Sequence, residues 1–184
     1  MTKELIIVGG PNGSGKTTFA KRFLSLDNFY FINADEISAT QGTSNINSGK
    51  IFFETLSSKR AEGINIMMES TLSGKYLVGK IGEFRQAGYR ISIVYLFLPS
   101  PEECIQRVKI RVQKGGHHIP DDDVRRRYYR SKANFWNIYK KLADDWSLFY
   151  NFIGTEAVMV ATGNQVTAAV ESEELFQNFI KDVN

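Results

Sequence analysis

A glycine-rich segment that ends in a lysine and two threonines offers the clearest chemistry in the sequence. Residues 10–18 read Gly-Pro-Asn-Gly-Ser-Gly-Lys-Thr-Thr and satisfy the pattern G-x-x-x-x-G-K-T. In such a loop, backbone N–H groups surround the phosphates of a nucleotide at dihedral angles that glycine tolerates. Lys16 supplies a cation toward the β- and γ-phosphates, and the Thr17 hydroxyl can bind Mg²⁺. The predicted nucleotide-binding residues are Gly10, Pro11, Asn12, Gly13, Ser14, Gly15, Lys16, Thr17 and Thr18.

Two carboxylates follow short apolar segments and are candidates for chemistry beside those phosphates. Asp35 comes shortly after Tyr30-Phe31-Ile32, and Glu69 comes after Ile66-Met67-Met68. Neither segment is the long apolar run ending in Asp that hydrolysing machines of this class use for Mg²⁺, which favours a small-molecule kinase. A carboxylate at the carboxyl end of a strand lies in the crevice where α/β proteins bind ligands. Asp35 is therefore a candidate general base within reach of the γ-phosphate, and a helix N-cap is the alternative role for it.

A second polar cluster follows the third apolar segment. Glu69 and Thr71 are two residues apart, so in an extended chain they point to the same side and could hold hydroxyl groups of an acceptor. Ser73 continues the same spacing. Alternatively, Thr71 and Ser73 only cap the helix that is predicted to begin near Lys75.

Positive charge is concentrated in the second half of a chain whose formal net charge is only +3. Arg107 and Arg111 are one helical turn apart, and Arg127 lies on the next predicted helix, so these three could stabilise charge on a transferred phosphate. Ion pairs with the acids at 121–123 on a solvated helix face are the alternative. The glycine-containing loop from Gly115 to Pro120 separates the two helices, which predicts a mobile lid over about 113–132.

Strands and helices alternate along the chain. The phosphate loop lies between a β-branched run, Leu5 to Val8, and a helix predicted from Lys16 to Leu26. Further strands are predicted at 29–33, 64–68, 91–98, 148–153 and 157–161, and further helices at 50–63, 75–87, 101–114, 121–142 and 172–183. The pattern predicts one α/β domain over residues 1–184, with the three-layer P-loop NTPase fold: a mainly parallel sheet flanked by helices, and a helical lid.

Composition excludes several classes of protein. Cys104 is the single cysteine, so the sequence offers neither an internal disulfide nor a cysteine metal site. The longest apolar run, 91–98, is far shorter than the roughly 20 residues of a membrane span. The first residues lead directly into a strand, which predicts a cytoplasmic protein without a signal peptide.

Four motifs resemble those of the zeta toxin family of P-loop kinases, over residues 4 to about 150. They are the phosphate loop at 10–18, Asn33-Ala34-Asp35, Glu69-Ser70-Thr71-Leu72-Ser73-Gly74, and Gly115-Gly116-His117-His118-Ile119-Pro120. The match is nearest to the short, single-domain branch of that family. This resemblance implies a Mg·ATP-dependent kinase that phosphorylates a sugar hydroxyl of UDP-N-acetylglucosamine, and an antitoxin protein as a partner.

The resemblance also implies roles for individual residues. Asp35 becomes the base toward the acceptor hydroxyl, and Glu69 and Thr71 become the residues that contact the acceptor. The family's toxin members carry Arg where this chain has Ser73, which leaves other hydroxyl acceptors open: a nucleoside, another sugar, a cofactor or an antibiotic.

Two functions from other classes remain as alternatives. One is a nucleotide-gated ATPase or regulator that binds nucleic acid through the basic residues 125–132, although no zinc finger, RNP signature or helix-turn-helix pattern accompanies them. The other is a protein-binding role, in which an antitoxin or another partner covers the nucleotide site. A nucleotide's own phosphates are the simpler partner for these charges.

Asp35→Asn is expected to retain ATP binding and to abolish phosphoryl transfer, because an amide cannot accept the proton of an acceptor hydroxyl. Nucleotide titration measures the binding, and the mass of the acceptor measures the transfer. Full activity in this variant would rule out Asp35 as the base.

Overall fold

A single sheet forms the centre of the protein in the computed structural model, which describes residues 3–24, 29–34, 36–37, 45–152 and 156–183. Within these residues the sheet has seven strands in the order β2-β3-β1-β4-β5-β6-β7. The strands are β1 (Lys3–Gly9), β2 (Tyr30–Ile32), β3 (Ile66–Ser70), β4 (Tyr89–Phe97), β5 (Asp145–Tyr150), β6 (Val158–Asn164) and β7 (Ala168–Val170). The first five are parallel, and β6 and β7 are antiparallel to their neighbours.

Helices lie between the strands and cover both faces of the sheet. In chain order they are α1 (Lys16–Leu24), α2 (Asn45–Ala61), α3 (Leu77–Gln86), α4 (Pro101–Gln113), α5 (Asp121–Asn134), a π-helix (Phe135–Tyr139), α6 (Lys140–Leu142) and α7 (Glu173–Ile180). On one face, Ala20 of α1 packs with Val8 and Met67. On the other, Phe52 and Leu56 of α2 pack into the main core. The predicted mainly parallel sheet flanked by helices is confirmed.

The central strands are apolar because they are buried on both faces. All five residues of β3 are buried, and Ile7 of β1 and Ile91 of β4 have no exposed surface. The carboxyl ends of β1 and β3 therefore meet at one edge of the sheet, with Gly9 opposite Ser70. This edge is where the phosphate loop and the polar residues that follow β3 come together.

Several element boundaries differ from those predicted. Helix α2 begins at Asn45 rather than Lys50. The stretch that ends at Gly49 has poor helix propensity, and Ser48 within it is buried, at 3% exposed. Strand β5 begins at Asp145 rather than Leu148 and alternates partly buried with buried residues. Strand β7 was not predicted, since Ala168-Ala169-Val170 is short and exposed, and alanine is depleted in strands.

The carboxyl-terminal segment is joined to α5 by a buried ion pair. The Lys132 ammonium has no exposed surface and lies 2.8 Å from the Asp182 carboxylate, among the rings of Phe97, Tyr128 and Phe179 at 5.0–5.8 Å. Burial lowers the pKa of Lys132, and the hydrogen bond that Lys132 donates to Asp182 opposes that shift. The second half of α5 is therefore held in the core.

No helix in the described ranges has both the length and the apolar character that crossing a membrane requires.

Candidate nucleotide and acceptor site

A cavity of about 640 Å³ opens at the carboxyl ends of β1 and β3. Its walls come from the phosphate loop, the segments that follow β2 and β3, helices α2, α4 and α5, and the loop between α4 and α5. The lining residues are Asn12, Gly13, Gly15, Lys16, Thr17, Thr18, Asn33, Ala34, Ser48, Glu69, Ser70, Thr71, Tyr76, Arg107, Arg111, His117, His118, Ile119, Pro120, Asp123 and Arg127. This volume is of the size that small-molecule sites have in proteins.

Neighbouring parts of the protein lie close to the glycines of the phosphate loop and leave no room for side chains there. At Gly15, where φ is +87°, a Cβ atom would lie 2.3 Å from the side-chain nitrogen of Asn151. At Gly13, where φ is +81°, a Cβ atom would lie 2.6 Å from the backbone oxygen of Cys104. The Asn151 side chain donates a hydrogen bond to the Ser14 carbonyl at 2.6 Å. The end of β5 and the first turn of α4 thus hold the loop in its shape.

The Lys16 side chain folds back over the loop. Its ammonium donates to the carbonyls of Gly10 and Pro11 at 2.9 and 3.0 Å. Lys16 also lines the cavity, where its ammonium would meet a phosphate.

Thr17 and Glu69 form the polar contact between α1 and β3. The Thr17 hydroxyl donates to Glu69 Oε2 at 3.0 Å, and the Glu69 side chain is 9% exposed. The register of the sheet produces this contact, because Val8, two residues before the loop begins, lies opposite Glu69. Glu69 was predicted to contact an acceptor. In the structure its carboxylate accepts a hydrogen bond from Thr17, the residue that was predicted to bind Mg²⁺.

Two arginines of α4 are held at the cavity by backbone oxygens. Arg107 donates to the carbonyl of Asn151 at 2.8 Å, and Arg111 donates to the carbonyl of His117 at 2.9 Å. Arg127 of α5 lies 3.9 Å from Asp123, and both residues line the same cavity. The cavity wall therefore carries guanidinium groups from two helices.

The cavity wall that follows β3 is rich in hydroxyl groups. Ser70 Oγ lies 3.0 Å from the Tyr76 hydroxyl, and Thr71 lines the cavity beside them. The Ser73 hydroxyl lies 2.9 Å from that of Thr71 and does not line the cavity. Ser48, from the first turns of α2, adds a further hydroxyl group to the cavity lining.

The structure brings together most of the predicted site residues, and it places the others as follows. Asn12, Gly13, Gly15, Lys16, Thr17, Thr18, Glu69, Thr71, Arg107, Arg111 and Arg127 line one cavity. Gly10, Pro11 and Ser14 are buried and do not line it. Asp35 lies outside the described residues, and its role as base stays a prediction. The lid over 113–132 also stays a prediction, and its end, from Tyr128 to Lys132, includes residues in the core.

Several lining residues had not been assigned to a site. Asn33 and the histidines at 117 and 118 belong to motifs that resemble those of the zeta toxin family. This resemblance was the one sequence signal that could have identified them. Asp123 had been considered only as one of the acids that could pair with the arginines. Ser48 and Tyr76 gave no signal, because only the folded chain brings them to the cavity.

Cys104 supports the phosphate loop with its backbone and not with its thiol. Burial raises the pKa of this thiol to about 12, so it is neutral at physiological pH. Cys104 is fully buried with Val108 and Leu98, and its role is packing.

Gly15→Ala is expected to weaken ATP binding by at least about tenfold, because the new methyl group would collide with Asn151 at a backbone angle that favours glycine. Nucleotide titration measures the effect. Gly79→Ala is the matched control: this α3 glycine has open space around it, so affinity should be unchanged. Equal affinities in the two variants would contradict the proposed loop packing.

Comparison with known proteins agrees with this architecture. A protein of Haemophilus influenzae, described as uncharacterized, is 30% identical over 134 residues, which cover 70% of this chain and 94% of that protein. The crystal structure of AvrRxo1-ORF1:-ORF2 with ATP is similar with a TM-score of 0.76 and 17% identity over 97% of this chain. This chain spans 63% of that longer chain.

A structure of the PezAT chromosomal toxin-antitoxin system of Streptococcus pneumoniae has a TM-score of 0.61 and 15% identity, with 100% of this chain and 86% of that chain covered. At these identities the two structures show a shared fold, the P-loop kinase-like α/β fold. A family model described as AAA domain, AAA_33, matches residues 5–134. Because this match covers most of the chain and includes the phosphate loop, the chain belongs to this AAA domain family.

Proposed function

We propose that this protein is a kinase that transfers the γ-phosphate of Mg·ATP to a hydroxyl group of a small molecule. The observation that carries the proposal is the Thr17–Glu69 hydrogen bond in a cavity that is lined by both cations and hydroxyl groups. Phosphoryl transfer needs little more than positioned phosphates, a metal, positive charge for the transition state and an oriented acceptor. The described residues supply groups suited to each of these tasks.

The residues present fit a magnesium ion. Mg²⁺ prefers oxygen ligands and is usually bound through one or two protein groups together with substrate phosphates and water. Thr17 offers a hydroxyl, and Glu69 offers a carboxylate within 3.0 Å of it. The ion would neutralise charge on the β- and γ-phosphates. Glu69 would then orient the Thr17 oxygen or a water on the metal, so we assign Glu69 to the metal in addition to its predicted contact with the acceptor.

The reaction breaks the bond between the γ-phosphorus and the oxygen that bridges to the β-phosphate, and forms a bond from the acceptor oxygen to phosphorus. Lys16, Arg107 and Arg111 would hold the negative charge that spreads over the phosphate oxygens. Asp35 would take the proton of the acceptor hydroxyl. The products are ADP and a phosphate monoester, without a covalent enzyme intermediate.

The acceptor hydroxyl is proposed to belong to a sugar, with UDP-N-acetylglucosamine as the first candidate. The resemblance to zeta toxins suggests this molecule, and Ser70, Thr71 and Tyr76 offer hydroxyl groups that could bind a sugar. The Ser73 side chain, where toxin members carry Arg, turns to Thr71. A nucleoside, cofactor or antibiotic hydroxyl is the alternative acceptor.

A protein partner is proposed on the same basis. The similar structures include a toxin-antitoxin system and the AvrRxo1-ORF1:-ORF2 complex, which supports an antitoxin-like partner for this chain.

The nucleic-acid-binding alternative has less support from the structure. Arg125 pairs with Glu102 and Asp122 at 3.3 Å, and Arg126 pairs with Asp123 at 2.7 Å. Lys132 is buried in the core. Much of the basic segment is thus compensated within the protein and offers fewer charges to a phosphate backbone.

The test is mass spectrometry of the protein with Mg·ATP and either UDP-N-acetylglucosamine or a pooled bacterial metabolite extract. The expected result is one acceptor that gains a single phosphoryl group. Lys16→Ala should abolish the gain, since the loop loses its cation. Phosphorylation of another metabolite would keep the kinase and change its acceptor. ADP without a phosphorylated product would contradict the kinase and favour an ATPase.

A further inference from the structure

The loop that follows β3 has an unusual conformation for a segment that lines a site. Leu72, which is fully buried, has a φ of +53°, a value that residues with side chains rarely adopt. Its side chain is packed against Gly9, where a Cβ atom would lie 2.6 Å from Leu72 Cδ1. Such a conformation costs free energy and persists only where surrounding contacts impose it.

Those contacts come from one continuous stretch of helix. Ser131 donates to the Thr71 carbonyl, and Asn134 donates to the Leu72 carbonyl at 2.9 Å. The Tyr139 hydroxyl donates to the Gly74 carbonyl at 2.6 Å. Three backbone oxygens of a four-residue loop are therefore bound by side chains on α5 and the π-helix.

The π-helix explains how Tyr139 reaches the loop. In an α-helix, the residues on the same face after Ser131 and Asn134 would be about 138 and 142. A π-turn has hydrogen bonds from residue i to i+5 and inserts one residue. Here the Lys140 N–H donates to the carbonyl of Phe135, five residues earlier. The insertion moves position 139 onto the face that carries Asn134.

The donors are themselves fixed in the core. Ser131 has no exposed surface and lies 2.7 Å from the Tyr95 hydroxyl. Because Ser131 donates its one proton to Thr71, the Tyr95 hydroxyl must donate to Ser131. Burial raises the pKa of Tyr139 to about 12, so its hydroxyl remains a donor at every physiological pH.

We propose that Ser131, Asn134 and Tyr139 are positioning residues that hold the loop Thr71–Gly74 in its acceptor-binding shape, and that the π-turn exists to bring the third donor to it. This inference rests on the proposed function only in so far as the molecule bound by the loop is the acceptor of a kinase. The same stretch of helix carries Arg127 and Asp123 at the cavity. Helix α5 therefore fixes the loop Thr71–Gly74 relative to Arg127, one of the cations that line the cavity.

Tyr139→Phe removes one donor and keeps the ring, so it tests the proposal with little risk to the fold. Hydrogen–deuterium exchange of the peptide around residues 70–74 is expected to accelerate severalfold, while exchange in the phosphate loop is unchanged. With UDP-N-acetylglucosamine as the probe acceptor, KM for the acceptor should rise about tenfold, because misplaced binding groups weaken positioning. KM for ATP should stay within about twofold.

Tyr89→Phe is the matched control. Tyr89 is also buried, and its hydroxyl donates to the Ile64 carbonyl at 2.9 Å, before β3 begins, with the Arg60 carbonyl at 3.3 Å. Its loss should leave both the loop exchange and the acceptor KM unchanged. Asn134→Leu provides a second variant with the same expected signature as Tyr139→Phe.

Unchanged exchange at 70–74 in Tyr139→Phe and Asn134→Leu would overturn the proposal. So would faster exchange accompanied by equal changes in the KM values for acceptor and ATP, since that pattern indicates a merely structural role. If the wild-type protein phosphorylates no acceptor at all, the proposed function fails. The exchange measurement then still decides whether these residues hold the loop.

Discussion

The parallel pairing of β1 with β3 is the constraint on which the site depends. Val8 lies opposite Glu69, and Gly9 lies opposite Ser70. Because side chains alternate between the two faces of a strand, a shift of one residue would turn Glu69 to the other face of the sheet. The Thr17–Glu69 hydrogen bond would then be lost, and the hydroxyl groups that follow β3 would leave the cavity. All five residues of β3 are buried, so this shift would also carry the Glu69 carboxylate into the packing of the opposite face.

Two separate groups of hydrogen bonds hold the loops next to this strand pair: one at the phosphate loop and one at the loop that follows β3. The phosphate side is held by Asn151, which reaches the Ser14 carbonyl and receives a hydrogen bond from Arg107. The acceptor side is held by the helix that runs from α5 into the π-turn. Both sides are fixed by hydrogen bonds to backbone oxygens. Such preorganisation is what electrostatic catalysis of phosphoryl transfer requires.

Much of this could be predicted from the sequence, because local signals and final structure agree there. The phosphate loop carries its own conformational requirements in its glycines, and the apolar runs at β1, β3 and β4 indicate buried parallel strands. The arginines of α4 have helical spacing and are found at the cavity. Each of these features depends on short stretches of chain.

The remaining features depend on contacts between distant residues. Tyr76 lines the cavity because the loop before it is held by α5, some 60 residues later in sequence. The π-turn at Phe135–Tyr139 lies within a segment that predicts a continuous helix, and only its contacts with Gly74 reveal its purpose. Glu69 has the same residue type whether it binds an acceptor or orients a metal ligand. The 3.0 Å hydrogen bond from Thr17 supports the metal role proposed for Glu69, and no sequence pattern contains that distance.

The most direct measurement is calorimetric titration of a non-hydrolysable ATP analogue, with Mg²⁺ and with EDTA, into the wild-type protein and Glu69→Gln. If Thr17 and Glu69 hold the metal, Mg²⁺ should strengthen binding to the wild-type protein. Glu69→Gln should reduce that gain by about 10-fold or more, as losses of metal-orienting carboxylates do, with metal-free affinity preserved. An equal Mg²⁺-dependent gain in both proteins would contradict the central role given to this pair.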